Sequence, residues 1–176
     1  GVAAGVFPPP VPRRAVRLRR RPERPQRPRV RPQLEPPALR HLMGLLLELR
    51  AAATLPKRYL ELAIVTVSKL NACEYCVAHH TPFLAVEGVS PSGAERLLDY
   101  IDHPELDDTD RLVVEYAIAA WEHPNRIPDS LFDRLRARFS EAQIVELTLR
   151  ITLCGFFNKF NDALQIEEEP EAVASQ

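Results

Sequence analysis

The chain has 176 residues, 45% of them hydrophobic and 27% charged, which suits one domain of ordinary size or a domain with a tail. No apolar run in it reaches the length that spans a bilayer, and three cysteines, an odd number, do not make a disulfide framework. The net charge of −1 conceals a split: residues 1–40 carry eleven Arg, no Lys and two Glu, a net of +9, while residues 41–176 carry twelve basic and twenty-two acidic groups, a net of −10.

The first segment, residues 1–36, is therefore a basic leader attached to an acidic body. Ten of the seventeen prolines lie in residues 1–40. They remove backbone donors and favour extended polyproline conformations. The arginines repel one another and there is little to bury, so the leader is expected to be disordered. A nucleic-acid or acidic-surface tail is one reading of such a run. No aromatic residue is interleaved with the arginines to stack on bases, which counts against nucleic acid as a partner. The opening GVAAGVFPPPVPRR places its apolar residues before the charge and breaks them with proline. A secretory signal has the opposite order, and no apolar region follows the Arg13-Arg14 pair. The protein is read as cytoplasmic, with no membrane partner.

The body reads as helices. Leu42, Leu45, Leu46 and Leu49 fall at helical spacing and predict a first amphipathic helix. Pro56 suits a first helical position. The stretch RYLELAIVTVSKLNA contains the β-branched run Ile64-Val65-Thr66-Val67, yet its length and the absence of bounding Gly or Pro favour a buried helix. VAHHTPFLAVEG ends at Gly88, a helix stop, with a kink or early first turn expected at Pro82. Ser90-Pro91 opens another helix. Asp108-Thr109 is expected to cap the next, whose stripe is Leu112, Val113, Tyr116, Ala117, Ala120 and Trp121. Phe132, Leu135 and Phe139 mark a short helix. Ser140 with Gln143 predicts a capping box at the head of a last helix so apolar that it is central or lies at a subunit contact. The body is all-α, a compact fold of about six helices over residues 37–169, with residues 170–176 as a flexible tail.

The chemistry concentrates in NACEYCVAHHT, residues 71–81. Cys73 and Cys76 stand one helical turn apart. Opening a helix, they meet unpaired backbone N–H groups and the positive end of the dipole, which favour a thiolate. His80, four residues beyond Cys76, lies on the same face one turn on, where it can accept the thiol proton or stabilise the thiolate. Cys73 can then attack an oxidised Cys76 and close a disulfide. Two other readings stand beside this one. A structural zinc site needs four ligands, and beyond Cys73, Cys76 and His80 only Cys154 and His79 are near candidates, with no second CxxC or HxxxH. The cysteines could also be simply buried, as free cysteines often are.

The segment LPKRYLELAIVTVSKLNACEYCVAHHT resembles the signature of the alkylhydroperoxidase-D-like (AhpD-like) proteins of the carboxymuconolactone decarboxylase superfamily. Members carry a glutamate twelve residues before the first cysteine, then CxxC, then a histidine four after the second; Glu61, Cys73, Cys76 and His80 stand at those spacings. FSEAQIVELTLRITLCGFFNKFNDALQIE is similar to the family's closing helix with its aromatic-Asn-x-x-Asn ending. The resemblance covers about residues 37–169 and leaves the arginine leader unexplained. It implies an all-helical AhpD-like fold that assembles into homotrimers or hexamers. It implies that Cys76 attacks a hydroperoxide, that Cys73 resolves the sulfenic acid, and that Glu61 and His80 relay the proton. No metal or haem is implied. A dithiol donor, a lipoylated or thioredoxin-like protein, would restore the thiols. Tyr75 stands where well-known members have a further histidine, in a supporting place where its hydroxyl passes a proton or its ring packs. A redox sensor that docks nucleic acid through its leader, and a lyase of the superfamily, are the alternative functions. On its own, Glu61 reads as a solvated helix-end residue beside Lys57 and Arg58. His79 reads as exposed or packed, His41, His103 and His123 lack partners nearby in sequence, and Cys154 reads as core. Asn158 and Asn161 read as bonded within the last helix's packing, with a place near the site as the other reading.

Overall fold

The computed structural model describes residues 37–166. The expected leader, residues 1–36, and the expected tail, residues 170–176, lie outside them. Seven α-helices and one 3-10 helix follow in chain order, and no strand occurs among the described residues. They are α1 (Pro37–Ala51), α2 (Lys57–Leu70), α3 (Glu74–Val86), α4 (Pro91–Glu95), the 3-10 turn Leu97–Asp102, α5 (Asp108–Glu122), α6 (Asp129–Arg136) and α7 (Glu141–Leu164). The helix expected after Ser90-Pro91 divides into α4 and the 3-10 turn. Ser90 caps α4 by accepting from Gly93 N, and non-helical Asp99 interrupts the 3-10 turn that follows.

The β-branched run settles as helix because α2 is the centre of the fold, packed on α3, α5 and α7. Leu62, Ala63, Val65 and Val67 are fully buried. Each large side chain removed from water contributes about 1.5–3 kcal/mol. Thr66 is buried without an orphaned hydroxyl, since its Oγ1 donates to Leu62 O at 2.7 Å.

Arg58 staples the start of α2 to two other parts of the fold. Its Nε and Nη2 reach the two carboxylate oxygens of fully buried Asp110 at 2.9 and 2.6 Å. Its Nη1 donates to Glu87 O and its Nη2 also to Glu105 O. Desolvated bidentate pairing of this kind holds geometry as well as energy. Arg58 is thereby committed away from Glu61, its neighbour on α2.

One expectation is corrected. The cap of α5 is Asp107, not Asp108-Thr109: its carboxylate accepts from Thr109 N and Asp110 N, while Asp110 accepts from Asp107 N, a reciprocal box. The leucine stripe of α1 forms the expected helix, with Leu42, Leu46 and Leu49 half-buried and Leu45 37% exposed. His103 does find partners. It is buried, its Nε2 bonds Gly93 O at 2.9 Å, and its Nδ1 accepts from Glu105 N.

Candidate active site

The site is built where α2 ends, α3 begins and the last turns of α7 pass alongside. At the end of α2 the chain turns through Ala72 in the left-handed region, φ 51. Cys73 N then donates to Ser68 O and Ala72 N to Lys69 O, closing the helix with paired return bonds. Cys73, which makes one of those bonds, is also the cap of α3. The residue that terminates one helix therefore begins the next, and this fixes the first sulfur relative to both. Cys76 follows in the first turn of α3, where backbone N–H groups still lack helical partners.

The structure brings the four expected residues together in two contacts. Cys73 Sγ donates to Cys76 Sγ at 2.7 Å, and the two cysteines, 0% and 6% exposed, are not joined by a disulfide. His80 Nδ1 lies 2.8 Å from Glu61 Oε2. A carboxylate only accepts, so Nδ1 carries a proton and donates it to Glu61. Glu61 is thus a partly buried group held by α3 and not a solvated helix-end charge; its side chain is 18% exposed.

The two sulfurs differ in their hold on a proton. Cys76 is pulled down to about 6, first by the Cys73 thiol donating to it, against burial, and then by the Asn161 and Asn158 amides and the nearby charge of His80. Cys73 is pushed well above its ordinary range, because its proton is engaged by Cys76 and because it is buried. The arrangement therefore favours the proton on Cys73 and the negative charge on Cys76. The helix end and imidazole expected from sequence are present, but the neighbouring thiol and the amides of α7 contribute more.

Those amides were the part that spacing alone left undecided. Asn161 Nδ2 donates to Cys76 Sγ at 3.4 Å. Asn158, 1% exposed, accepts from Asn71 Nδ2 at 2.9 Å and donates to Ser68 Oγ at 3.2 Å. Trp121 Nε1 donates to Asn71 Oδ1 at 3.1 Å. The Asn-x-x-Asn spacing puts both amides on one face of α7, a visible signal, but their partners sit on another element some eighty-five residues away.

Cys154 behaves as a core residue. Its sulfur lies 3.4 Å from Ser68 Oγ and donates to Ile64 O, and burial pushes the thiol up to about 12. His79 is exposed and lies outside the Glu61–His80 pair. Its ring stands parallel to Tyr75, 6.1 Å away, and edge-on to Phe83, so the outer face of α3 carries an aromatic row beside His80. Among the described residues no group of three or more His, Cys, Asp or Glu side chains gathers to hold a metal ion. Among them, too, no helix is long and apolar enough to cross a membrane.

Residues 36–99 match the carboxymuconolactone decarboxylase family. The uncharacterized protein YnjA of Escherichia coli is 32% identical over 100 residues, 57% of this chain and 55% of YnjA. YdfG of Bacillus subtilis is 26% identical over 105 residues, 59% of this chain and 71% of YdfG. The chain thus spans only a little over half the length of the first of these relatives. Among solved structures, ATU0492 from Agrobacterium tumefaciens, whose description links it to antioxidant defence and AhpD, superposes with a TM-score of 0.69 at 23% identity, over 77% of this chain and 92% of that one. A peroxidase-related protein from Ralstonia eutropha JMP134 with an alkylhydroperoxidase AhpD core gives 0.68 at 19% identity, over 77% and 72%. The debrominase Bmp8 gives 0.62 at 22% identity, over 74% and 70%. At these identities the likeness is one of fold.

Proposed function

We propose, from the premise that the chain is an AhpD-like member of the carboxymuconolactone decarboxylase superfamily, that it is a thiol-dependent peroxidase and disulfide oxidoreductase. The observation that carries the reading is the Cys73 thiol donating to the Cys76 sulfur across 2.7 Å, with the Glu61–His80 pair at hand.

Cys76 attacks the terminal oxygen of a hydroperoxide. The O–O bond breaks, Cys76 becomes a sulfenic acid, and the alkoxide leaves as an alcohol after taking a proton from the His80 relay. Cys73 then attacks the Cys76 sulfur, and the hydroxyl departs as water with the Cys73 proton. An external dithiol, on a lipoylated or thioredoxin-like protein, reduces the resulting disulfide and is itself oxidised. Each peroxide takes two electrons, all carried by sulfur, so the cycle requires neither metal nor haem. Glu61 orients the imidazole and offsets the charge it gains, and Tyr75 supports the site from the adjoining turn. Residues 37–169 form the catalytic domain. A reducing compartment, the cytoplasm, suits thiols that must be restored at every turnover, and the protein assembles as a homo-oligomer, a trimer or hexamer.

One observation favours a second reading. The aromatic row of Tyr75, His79 and Phe83 beside His80 suits a flat aromatic substrate, and the fold is shared with a debrominase. The same two thiols could replace an aryl halogen by hydrogen, giving a disulfide and a hydrogen halide. Turnover of an alkyl hydroperoxide with dihydrolipoamide, set beside a bromopyrrole with the same donor, separates the two. Both readings require Cys76→Ser to abolish turnover, whereas lyase chemistry of the superfamily survives it. A protein that only senses redox state, or docks nucleic acid through residues 1–36, turns over neither substrate.

A further inference from the structure

Cys73 and Cys76 present two chemically identical sulfurs 2.7 Å apart, so their surroundings decide which one attacks. We infer that Asn161 is a catalytic residue, the amide donor that binds Cys76 Sγ as thiolate and thereby selects it over Cys73 as the nucleophile. The inference deepens the peroxidase reading, but its test uses no peroxide.

The geometry of the last turns of α7 carries it. Asn161 Nδ2 donates to the Cys76 sulfur at 3.4 Å, a contact with the reacting atom itself. The next residue, Asp162, acts in the opposite sense on the other sulfur, its carboxylate disfavouring a second negative charge at Cys73. Adjacent side chains on one helix turn therefore push the shared proton the same way, off Cys76 and onto Cys73. The charged group acting from α3 is His80, itself paired with Glu61 on α2. An imidazole stabilises a thiolate by charge only while it keeps its proton. A carboxamide does not titrate and donates at every pH, so this part of the selection is constant.

The helix end that carries the amide is held. The backbone carbonyl of Asn161 accepts from Ile166 N at 3.0 Å where the chain leaves α7 through left-handed Gln165. One turn earlier, buried Asn158 is tied to Asn71 and Ser68, and Asn71 to the Trp121 indole. The backbone carbonyl of Ser68 accepts from Cys73 N. The two sulfurs and the amide face thus share one buried network, in which Asn158 and Asn71 are positioning residues.

The test measures alkylation rate against pH at each cysteine of the full chain, located by peptide mapping with iodoacetamide as probe. In a Cys73→Ser background, Asn161→Ala should raise the Cys76 midpoint by about one pH unit, the scale of one hydrogen bond to an ion. Asn161→Asp, nearly isosteric and therefore expected to fold even if the alanine variant does not, should raise it further by adding a like charge. In a Cys76→Ser background neither change should lower or restore the Cys73 midpoint by a comparable amount. The inference is overturned if the Cys76 midpoint stays within about a tenth of a unit in Asn161→Asp. It is overturned equally if both cysteines shift together, which marks general loosening. A protein that consumes no hydroperoxide but shows the Cys76-specific shift loses the peroxidase reading and keeps this one.

Discussion

Cys76 illustrates how much of a site one spacing reveals. The glutamate, cysteine pair and histidine were legible because each contact lies within one helix or between helices that adjoin in the chain. What spacing left open was the origin of the thiolate. The first cause is the Cys73 thiol and the next is a pair of amides from α7, with His80 contributing less. Only tertiary packing brings α7 to the sulfur. A measurable consequence follows at this scale. Cys76 sits at about 6 while Cys73 is raised, so alkylation of Cys76 should climb through a midpoint near pH 6 and level off above neutrality, with Cys73 unreactive across that range. The sign for stability follows the same logic. The folded value of Cys76 lies below the ~8.5 of an unfolded cysteine, so its contribution to the reduced fold grows between about pH 6 and ~8.5 and is lost as pH falls through about 6, while the raised Cys73 takes stability back above ~8.5. Denaturant melts of the reduced chain and of Cys76→Ser should therefore converge in acid. Divergence that persists below pH 5 contradicts the assignment.

At the scale of elements, helices were readable where the apolar period was clean, as in α5, or where a cap box was spelled out, as at Ser140 and Gln143. Boundaries slipped by a residue where acids crowd, because three aspartates compete for the α5 cap and only Asp107 has an acid three residues on. Two positions that carry the site were invisible. Ala72 adopts a left-handed φ of 51 between α2 and α3, a conformation unfavourable for a residue with a Cβ. Ala72→Gly should raise stability by about 1 kcal/mol in thermal or denaturant unfolding. Gly155 lies under Trp121, where a Cβ would come within 2.0 Å of the ring. Gly155→Ala should displace the indole, cost about 1–3 kcal/mol, and shift the Cys76 titration through Asn71 and Asn158. Unchanged stability and titration in Gly155→Ala would show that the indole does not brace the amides.

For the whole molecule, the all-helical class and the AhpD-like fold were legible from periodicity and motif, since a buried helix at the centre leaves its mark as an uninterrupted apolar run. The status of α1 was not, because an apolar stripe states that a face is covered without saying by what. Leu47 on α1 and Val145, Phe156 and Phe160 on α7 remain exposed in the single chain. If these faces form the proposed contacts between subunits, Phe156→Asp should lower the mass found by light scattering while leaving helical content intact. The same mass in both proteins places the contacts elsewhere.

The central claim is that one peroxide oxidises one pair of sulfurs. It is tested most directly by mixing the reduced protein with an equimolar alkyl hydroperoxide, in the absence of any external dithiol, and mapping the thiols by mass spectrometry. The expected result is loss of the peroxide matched by a disulfide between Cys73 and Cys76, with Cys154 still reduced. Peroxide left unconsumed, or consumed while Cys73 and Cys76 remain thiols, would contradict the account.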